Sequence, residues 1–282
     1  MPMQGKIAVV TGASRGIGKG IALELGALGM TVYVTGRTTD GGPLPGTINE
    51  TASQIDVLGG TGVAVACDHH DDEQVSSAIG TIVAKHGRID VLVNNVFSAP
   101  ELAAWLGTPF WELPPRAWDE VIGIGCRSHY MAALHAVPSM VAAKTGLVVN
   151  VSSDGAVQYA HNVPYGVGKA AVDKMTGDMA HELAPHGVAV VSVWPGLVKT
   201  ELVMFGAKTR EDGSQYLDLG GEGAFELADA ETPRFVGRGV AALAADADVL
   251  RWSGTSVRVA DLADTYGFTD LDGTVPRLKL RA

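Results

Sequence analysis

Tyr165 and Lys169 form a pair that could handle a proton. They are four positions apart in the segment Y-G-V-G-K, and residues at this spacing share one face of a helix. A phenol with a pKa of about 10 exchanges protons poorly at neutral pH, and a neighbouring cation stabilises the phenolate and lowers that pKa. The spacing therefore predicts that Tyr165 donates or accepts a proton with Lys169 beside it. Taken alone, such a pair is more often an ordinary surface feature.

The segment Thr11 to Gly18, T-G-A-S-R-G-I-G, has glycines at positions suited to binding phosphate. Gly12 permits a tight turn, Gly16 lets a phosphate approach the backbone, and Gly18 lets a helix pack closely on a strand. The N-terminus of the following helix offers free N–H groups and the positive end of its dipole. The segment predicts a dinucleotide site, with a purely structural turn as the alternative. The residues expected to contact the ligand are Gly12, Ser14, Arg15, Gly16, Ile17 and Gly18.

The end of the second predicted strand bears on the choice of cofactor. Folds that bind NAD place an acidic residue there, which hydrogen-bonds the ribose 2′-hydroxyl. This strand ends in V-T-G-R and has no carboxylate. Arg37, helped by Arg15, could instead clamp a 2′-phosphate through charge-assisted hydrogen bonds. We therefore expect NADP(H), and NAD is the less favoured alternative.

Strand-like apolar runs alternate with helical patterns along the chain, and these elements must position the residues above. The strands are predicted at Ile7 to Thr11, Thr31 to Thr35, Val63 to Cys67, Val91 to Val93, Leu147 to Val151, Val188 to Val193 and Ser256 to Val259. Continuous runs of Val, Ile and Leu are typical of strands buried on both faces. The alternation predicts one α/β domain over residues 1–282, a Rossmann-type doubly wound parallel sheet of about seven strands with helices on both faces.

Two segments interrupt this alternation. Ser98 to Trp118 contains several aromatic residues and a Pro-Pro pair, and Glu201 to Phe235 mixes charged residues with glycines, among them Gly220 and Gly221. Long irregular insertions in compact domains are often lids or binding loops. We expect residues 201–235 to form a substrate loop; a solvent loop with an oligomer contact is an equal alternative for both segments.

The composition argues against several classes of protein. A formal net charge of −10 argues against a nucleic-acid partner, because such proteins carry a concentrated basic face. We find no uncharged apolar stretch of the ~18 residues that a membrane helix needs, and no signal peptide before the first strand. Cys67 and Cys126 are too few for a disulfide framework. We therefore expect a cytoplasmic protein without a membrane partner or a metal, and interpret Asp68 to Asp72, D-H-H-D-D, as a solvated loop.

Taken in order, these motifs resemble those of the short-chain dehydrogenase/reductase family over nearly the whole chain. The resemblance rests on Thr11 to Gly18, Asp68, Asn94-Asn95, Ser152-Ser153, Tyr165 to Lys169, and the turn Pro195-Gly196 with Val198 and Thr200. The family's N-N-A-G motif reads N-N-V-F here, so only the asparagines match. The resemblance implies hydride transfer between a nicotinamide cofactor and a small carbonyl or alcohol substrate, in a homodimer or homotetramer.

The resemblance also implies roles for individual residues. Ser153, Tyr165 and Lys169 would be catalytic. Either Ser153 or Ser152 could supply the serine hydroxyl: with Ser153 the interval to Tyr165 is one residue shorter than usual in the family. We choose Ser153 because position on the strand, rather than loop length, aims the side chain. The cofactor would also contact Arg37, Asp68, Asn94, Tyr165, Lys169, Pro195, Gly196, Val198 and Thr200.

One family residue has no counterpart in this chain. The asparagine that helps to hold a water beside the lysine aligns with Gly125. This departure motivates an alternative function, an NADP(H)-binding sensor or structural subunit with little turnover; NAD-linked alcohol oxidation is another alternative. The segments Pro164 to Ala171, His181 to Leu183 and Trp194 to Val198 look closest to the dehydrogenase/reductase member 1-like subgroup, which Gly125 also fits. That subgroup implies NADPH-dependent reduction of ketones or aldehydes.

Overall fold

A seven-stranded parallel sheet forms the centre of the fold. The computed structural model describes residues 2–97, 105–219 and 223–277. Its strands are β1 Ile7–Val10, β2 Thr31–Gly36, β3 Thr61–Ala66, β4 Val91–Asn94, β5 Gly146–Val151, β6 Val188–Trp194, β7 Lys208–Thr209, β8 Gln215–Asp218, β9 Ala224–Glu226 and β10 Ser256–Arg258. Neighbours in the central sheet follow the order β10-β6-β5-β4-β1-β2-β3, and all pairs are parallel. Each predicted run overlaps one of these strands, with ends that differ by one or two residues, and the predicted fold class is confirmed.

Helices cover the sheet on both sides. They are α1 Gly16–Ala27, α2 Ile48–Val57, α3 Asp72–His86, α4 Pro115–Ile122, α5 Ser128–Ala143, α6 Val163–Leu183, α7 Glu201–Phe205, α8 Pro233–Ala245 and α9 Val259–Tyr266, with a π-helical turn Gly123–Arg127 between α4 and α5. Helices α1, α2, α8 and α9 contribute to one apolar core, and α3, α5 and α6 contribute to the other. None of the helices in the described ranges has an apolar stretch long enough to cross a bilayer.

The strands supply both cores because their successive side chains face opposite sides of the sheet. In β1, Ala8 and Val10 belong to the first core, whereas Ile7 and Val9 belong to the second. The strand order reverses at β1, which lies between β2 and β4. In open α/β sheets, ligands bind in the crevice at such a point, outside the carboxyl ends of the strands.

The segment after β6 is more regular than we expected from the sequence. Residues 201–235 contain α7 and, in their described part, a small antiparallel sheet in the order β7-β8-β9. Lys208 pairs with Asp218 at 2.9 Å and Gly213 takes the positive φ of 83° in the connection between β7 and β8. The expectation of an irregular loop is wrong for this part, because short strands with few apolar positions give little periodic signal. Gly220 and Gly221, like residues 98–104 of the other segment, lie outside the described residues.

Candidate active site

A cleft of about 450 Å³ opens at the carboxyl ends of the central strands. It brings together all the residues that the sequence nominated except Asn94. These are Gly12, Ser14, Arg15, Gly16, Ile17, Gly18, Arg37, Asp68, Ser153, Tyr165, Lys169, Pro195, Gly196, Val198 and Thr200. They come from widely separated parts of the chain and lie close together because the carboxyl ends of parallel strands meet at one edge of the sheet.

Tyr165 is placed by the start of α6. Asn162 caps this helix by accepting a hydrogen bond from the Tyr165 backbone N–H at 3.1 Å, and Pro164 occupies the first turn, a position that suits proline. The phenol hydroxyl of Tyr165 donates to Oγ of Ser153 at 2.9 Å. The two side chains that could share a substrate oxygen are therefore already in hydrogen-bonding distance.

The adjacent serines at the end of β5 have different surroundings. Ser152 is buried and its hydroxyl donates to the backbone carbonyl of Lys169 at 3.3 Å. Ser153 faces Tyr165 instead, and its Oγ also accepts from the Gly155 N–H at 3.1 Å. Neighbouring residues of an extended chain face opposite sides, so of this pair only the Ser153 hydroxyl meets the phenol.

Gly155 makes this approach possible, and sequence reasoning missed it. A Cβ at this position would lie 2.7 Å from Cε1 of Tyr165 and 3.0 Å from Oγ of Ser153. The first distance is shorter than real Cβ contacts and the second is tight, so a side chain at 155 would have to push the Tyr165 ring or the Ser153 hydroxyl aside. The only signal in the sequence was a glycine shortly after the serine pair.

Lys169 lies one turn of α6 beyond Tyr165, and it is buried. Its Nζ donates to the carbonyl of Val151 at 3.2 Å and lies 5.7 Å from the centre of the Tyr165 ring. Burial, which penalises the charged form, lowers the pKa of Lys169 to about 8, against the opposing effect of the Asp173 carboxylate. The ammonium is thus held near the phenol, as the four-residue spacing predicted.

The glycine-rich loop packs against the segment that follows β4. Gly12 has a φ of 65°, and a Cβ there would lie 2.8 Å from Cα of Val96. A Cβ at Gly18 would lie 2.4 Å from Nδ2 of Asn95. That amide donates to the carbonyls of Thr11 and Gly12 at 2.8 and 3.0 Å. The loop therefore depends on glycine for its turn and for this close packing.

Asn94 does not line the cleft, and its contact with the cofactor stays a prediction. Asn94 is fully buried and its amide donates to Oδ1 of Asn150 at 2.9 Å within the sheet. Asn150 in turn donates to Thr176 on α6 at 2.8 Å. Asn95, the next residue, lines the cleft instead. The two asparagines are adjacent on the chain, and only the register of β4 against β5 decides which one turns inward.

A carboxylate occupies the N-terminus of α1. Oε2 of Glu201, the first residue of α7, accepts a hydrogen bond from the Gly16 backbone N–H at 2.7 Å. Free N–H groups at a helix N-terminus favour anions, and this contact shows that the Gly16 N–H is oriented to bind one. The loop therefore fits a phosphate, and its N–H group holds an acidic side chain in this structure. Sequence reasoning missed Glu201 because the contact joins residues 185 positions apart.

Two arginines lie at the other end of the cleft. Arg15 donates to Oγ1 of Thr38 at 3.3 Å and to the carbonyl of Gly46 at 3.0 Å, whereas its buried Nε has no partner among the described residues. The side chain of Arg37 is 67% exposed and approaches the Asp68 carboxylate to 3.9 Å. An exposed ion pair of this kind is weak, so Arg37 remains available to an anionic ligand.

A buried acid supports the turn Pro195-Gly196. Glu231 is only 3% exposed, and its carboxyl accepts a hydrogen bond from the Gly196 N–H. Burial raises the pKa of Glu231 to about 8, and the charge of Asp270 adds to the effect. Backbone hydrogen bonds join Glu231 to Leu197 and Lys199 at 2.9 Å each. Nothing in the local sequence indicated this residue, because its partners lie in the segment that follows β6, more than thirty positions earlier in the chain.

Comparisons with known proteins agree with this fold. A family model described as "short chain dehydrogenase" matches residues 6–211. Dehydrogenase/reductase SDR family member 1 of Mus musculus is 45% identical over 279 residues, covering 96% of this chain and 85% of that protein. A solved protein of Xanthomonas campestris superposes with a TM-score of 0.82 at 25% identity, over 100% of both chains.

A second solved structure carries a cofactor. It is a metagenomic short-chain oxidoreductase in complex with NADP, with a TM-score of 0.71, 30% identity, and coverage of 92% of this chain and 98% of that one. The family model covers well over half of this chain, and the mouse relative matches almost all of it. This chain belongs to the short-chain dehydrogenase/reductase family of oxidoreductases.

Proposed function

We propose that this protein reduces the carbonyl group of a small ketone or aldehyde with NADPH, and catalyses the reverse oxidation of the alcohol. The observation that carries the proposal is the 2.9 Å hydrogen bond from the Tyr165 phenol to Ser153, inside the cleft that contains the glycine-rich loop. Lys169 lies beside this pair. Phenol, hydroxyl and ammonium together supply the groups that a carbonyl oxygen needs when it gains charge and then a proton.

Electrostatics favour NADP(H) over NAD. Strand β2 ends at Gly36, without a carboxylate for the ribose 2′-hydroxyl, and both Arg15 and Arg37 line the cleft beyond it. Guanidinium groups bind phosphate through paired charge-assisted hydrogen bonds. The NADP complex of the 30%-identical oxidoreductase supports the same choice.

The chain's own residues divide the chemistry between them. A bound nicotinamide cofactor supplies the hydride. Ser153 and Tyr165 hold the substrate oxygen by hydrogen bonds, and Tyr165 donates its proton to that oxygen. The Lys169 ammonium stabilises the negative charge that remains on the phenol oxygen. The Gly16 N–H and the N-terminus of α1 would hold the cofactor's pyrophosphate in place of the Glu201 carboxylate.

Leu202 and Val203 of α7 line the cleft, together with His161. The His161 ring lies 4.7 Å from that of Tyr165, and its backbone takes a positive φ of 61°, an unusual conformation that clusters at functional sites. We propose that these residues contact the substrate and that α7 with β7-β8-β9 sets its choice. A cytoplasmic location and a homo-oligomeric state stay predictions.

The direct test is NADPH consumption by the purified protein across a panel of ketones and aldehydes, with NADH measured in parallel. We expect turnover with NADPH and much weaker turnover with NADH. Arg37→Ala should weaken NADPH binding by about 10- to 100-fold, because a charged hydrogen bond contributes about 1.5–3 kcal/mol, while NADH affinity serves as the internal control. A protein that binds NADPH but consumes none with any carbonyl would instead support the sensor alternative.

A further inference from the structure

The ring of Phe97 lies where it can act on the buried lysine. Phe97 follows Asn95 and Val96 at the exit of β4 and lines the cleft. The Lys169 Nζ lies 4.8 Å from the centre of the Phe97 ring, closer than its 5.7 Å distance to the Tyr165 ring. Phe97 also meets the Tyr165 ring edge-to-face, with centroids 5.9 Å apart. One aromatic side chain thus contacts both members of the proton-handling pair.

The ammonium has few other partners. Its one hydrogen bond among the described residues is the 3.2 Å bond to the Val151 carbonyl, although an ammonium has three N–H groups to satisfy. The negative face of an aromatic ring attracts such a cation, and the attraction is strongest when water is excluded. Because Lys169 is buried, the Phe97 face lies where it can stabilise the ammonium alongside the Asp173 carboxylate, whose charge raises the pKa of Lys169.

The absence of a side chain at Gly125 leaves the space that the Phe97 ring occupies. Gly125 is buried in the π-helical turn Gly123–Arg127, and a Cβ at this position would lie 2.9 Å from both Cδ2 and Cε2 of Phe97. Any side chain at 125 and the ring at 97 therefore compete for one volume. Gly123, in the same turn, differs: a Cβ there meets nothing within 4 Å.

The backbone before the ring is also anchored. The imidazole Nε2 of His129, on α5, donates to the Val96 carbonyl at 3.1 Å. Burial lowers the pKa of His129 to about 3, so this ring stays neutral and adds no competing positive charge beside Lys169. The Phe97 ring thus packs against the π-helical turn, and the backbone just before it is anchored to α5.

We infer that Phe97 is a positioning residue for Lys169: its ring occupies the volume left by Gly125, and its face holds the ammonium beside Tyr165. The inference rests on the proposed function, in which Lys169 stabilises the phenolate. It also explains how the chain keeps a charged lysine in place without a polar side chain at position 125.

The titration of Lys169 measures this interaction directly. Other groups that act on its charge are Asp173 and Tyr165 on α6, Cys126 in the π-helical turn and His129 on α5, and the variants below leave all of them unchanged. The readout is the pH dependence of the lysine side-chain NMR signal in isotope-labelled protein. The Lys169 signal is assigned by its loss in Lys169→Arg. This measurement requires no turnover.

Phe97→Leu removes the ring but keeps an apolar side chain, so the titration midpoint of Lys169 should fall by about one pH unit, since one unit corresponds to 1.36 kcal/mol. In Phe97→Tyr, which keeps the ring, the titration midpoint of Lys169 should equal that of the wild type.

Gly125→Ala should displace the ring and lower the Lys169 midpoint similarly, whereas its matched control Gly123→Ala should not. The double variant Gly125→Ala with Phe97→Leu should titrate like Phe97→Leu alone, because the two changes remove one interaction.

Midpoints in Phe97→Leu that equal or exceed the wild-type value would overturn the inference, and so would a Gly125→Ala midpoint equal to that of Gly123→Ala. If Gly125→Ala does not fold, the Phe97 pair decides alone. Turnover gives a second readout: the alkaline limb of the kcat profile should move down with the lysine midpoint in Phe97→Leu. Absence of Tyr165-dependent turnover in the wild type would contradict the proposed function, while the NMR midpoints would still decide the role of Phe97.

Discussion

At the scale of single residues, the site depends on which side of an extended segment each side chain faces. Ser152 and Ser153 are neighbours, yet one hydroxyl donates to a backbone carbonyl and the other meets Tyr165. Asn94 and Asn95 repeat the pattern, with one amide in the sheet and the other on the glycine-rich loop. A choice between adjacent residues is thus made by strand register rather than by residue type.

Exchange of each serine for alanine tests this difference. Ser153→Ala removes a hydrogen bond to the substrate oxygen, and we expect kcat to fall by about 10²- to 10³-fold, as for loss of one oxyanion donor. Ser152→Ala removes a bond to the Lys169 backbone and should lower kcat far less. Steady-state kinetics of both variants at one pH measure the contrast. Equal losses would argue against the assignment of Ser153.

At the scale of elements, α7 is linked to the phosphate loop through Glu201. The sequence was sufficient to predict the loop and its glycines, because a strand, a glycine-rich turn and a helix follow one another locally. It could not predict the Glu201 contact, which depends on how the chain returns to α1 after β6. Glu231 beside Gly196 and Phe97 beside Lys169 could not be predicted for the same reason, because each contact joins residues far apart in the sequence.

Removing the charge of Glu201 should therefore tighten cofactor binding. In Glu201→Gln the Gly16 N–H no longer holds a competing carboxylate, and the negative charge next to the bound pyrophosphate is gone. We expect the Kd for NADPH to fall by about 2- to 5-fold, given the ~0.3–1 kcal/mol scale of helix-terminus charge effects. Fluorescence titration measures it. The exposed Glu211 on the same segment provides the control Glu211→Gln, and weaker NADPH binding in Glu201→Gln would contradict the competition.

At the scale of the whole molecule, the architecture was the most predictable part. Seven buried apolar runs with helices between them leave a parallel, doubly wound sheet as the packing that buries both faces of the strands, and the structure has this sheet. The small sheet β7-β8-β9 was not predictable, because its short strands carry only exposed and half-buried side chains and so give no clear apolar pattern.

Glu231 makes the free energy of unfolding of the whole fold depend on pH. Its pKa is raised from 4.5 to about 8 in the folded protein, so between these values the folded state holds a proton that the unfolded state has lost. Stability then falls as pH rises from about 4.5 to 8 and levels off above that. Glu231→Gln should abolish this component, a difference of roughly 3–5 kcal/mol across the window.

Chemical denaturation of both proteins at several pH values isolates the effect. The buried histidines titrate alike in the two proteins and cancel in the difference. The free energy of unfolding of the wild type, relative to Glu231→Gln, should decline steadily from pH 5 to 8. A difference that does not change with pH would show that Glu231 is ionised throughout this range.

The central claim is that Tyr165 supplies the proton in a hydride-transfer reaction. The measurement that tests it most directly is single-turnover oxidation of bound NADPH by a saturating carbonyl substrate, in the wild type and in Tyr165→Phe, with the NADPH Kd determined for both. We predict an unchanged Kd and a rate lower by about 10²- to 10⁴-fold, the usual contribution of a general acid. A Tyr165→Phe protein that oxidises NADPH at the wild-type rate would contradict the account.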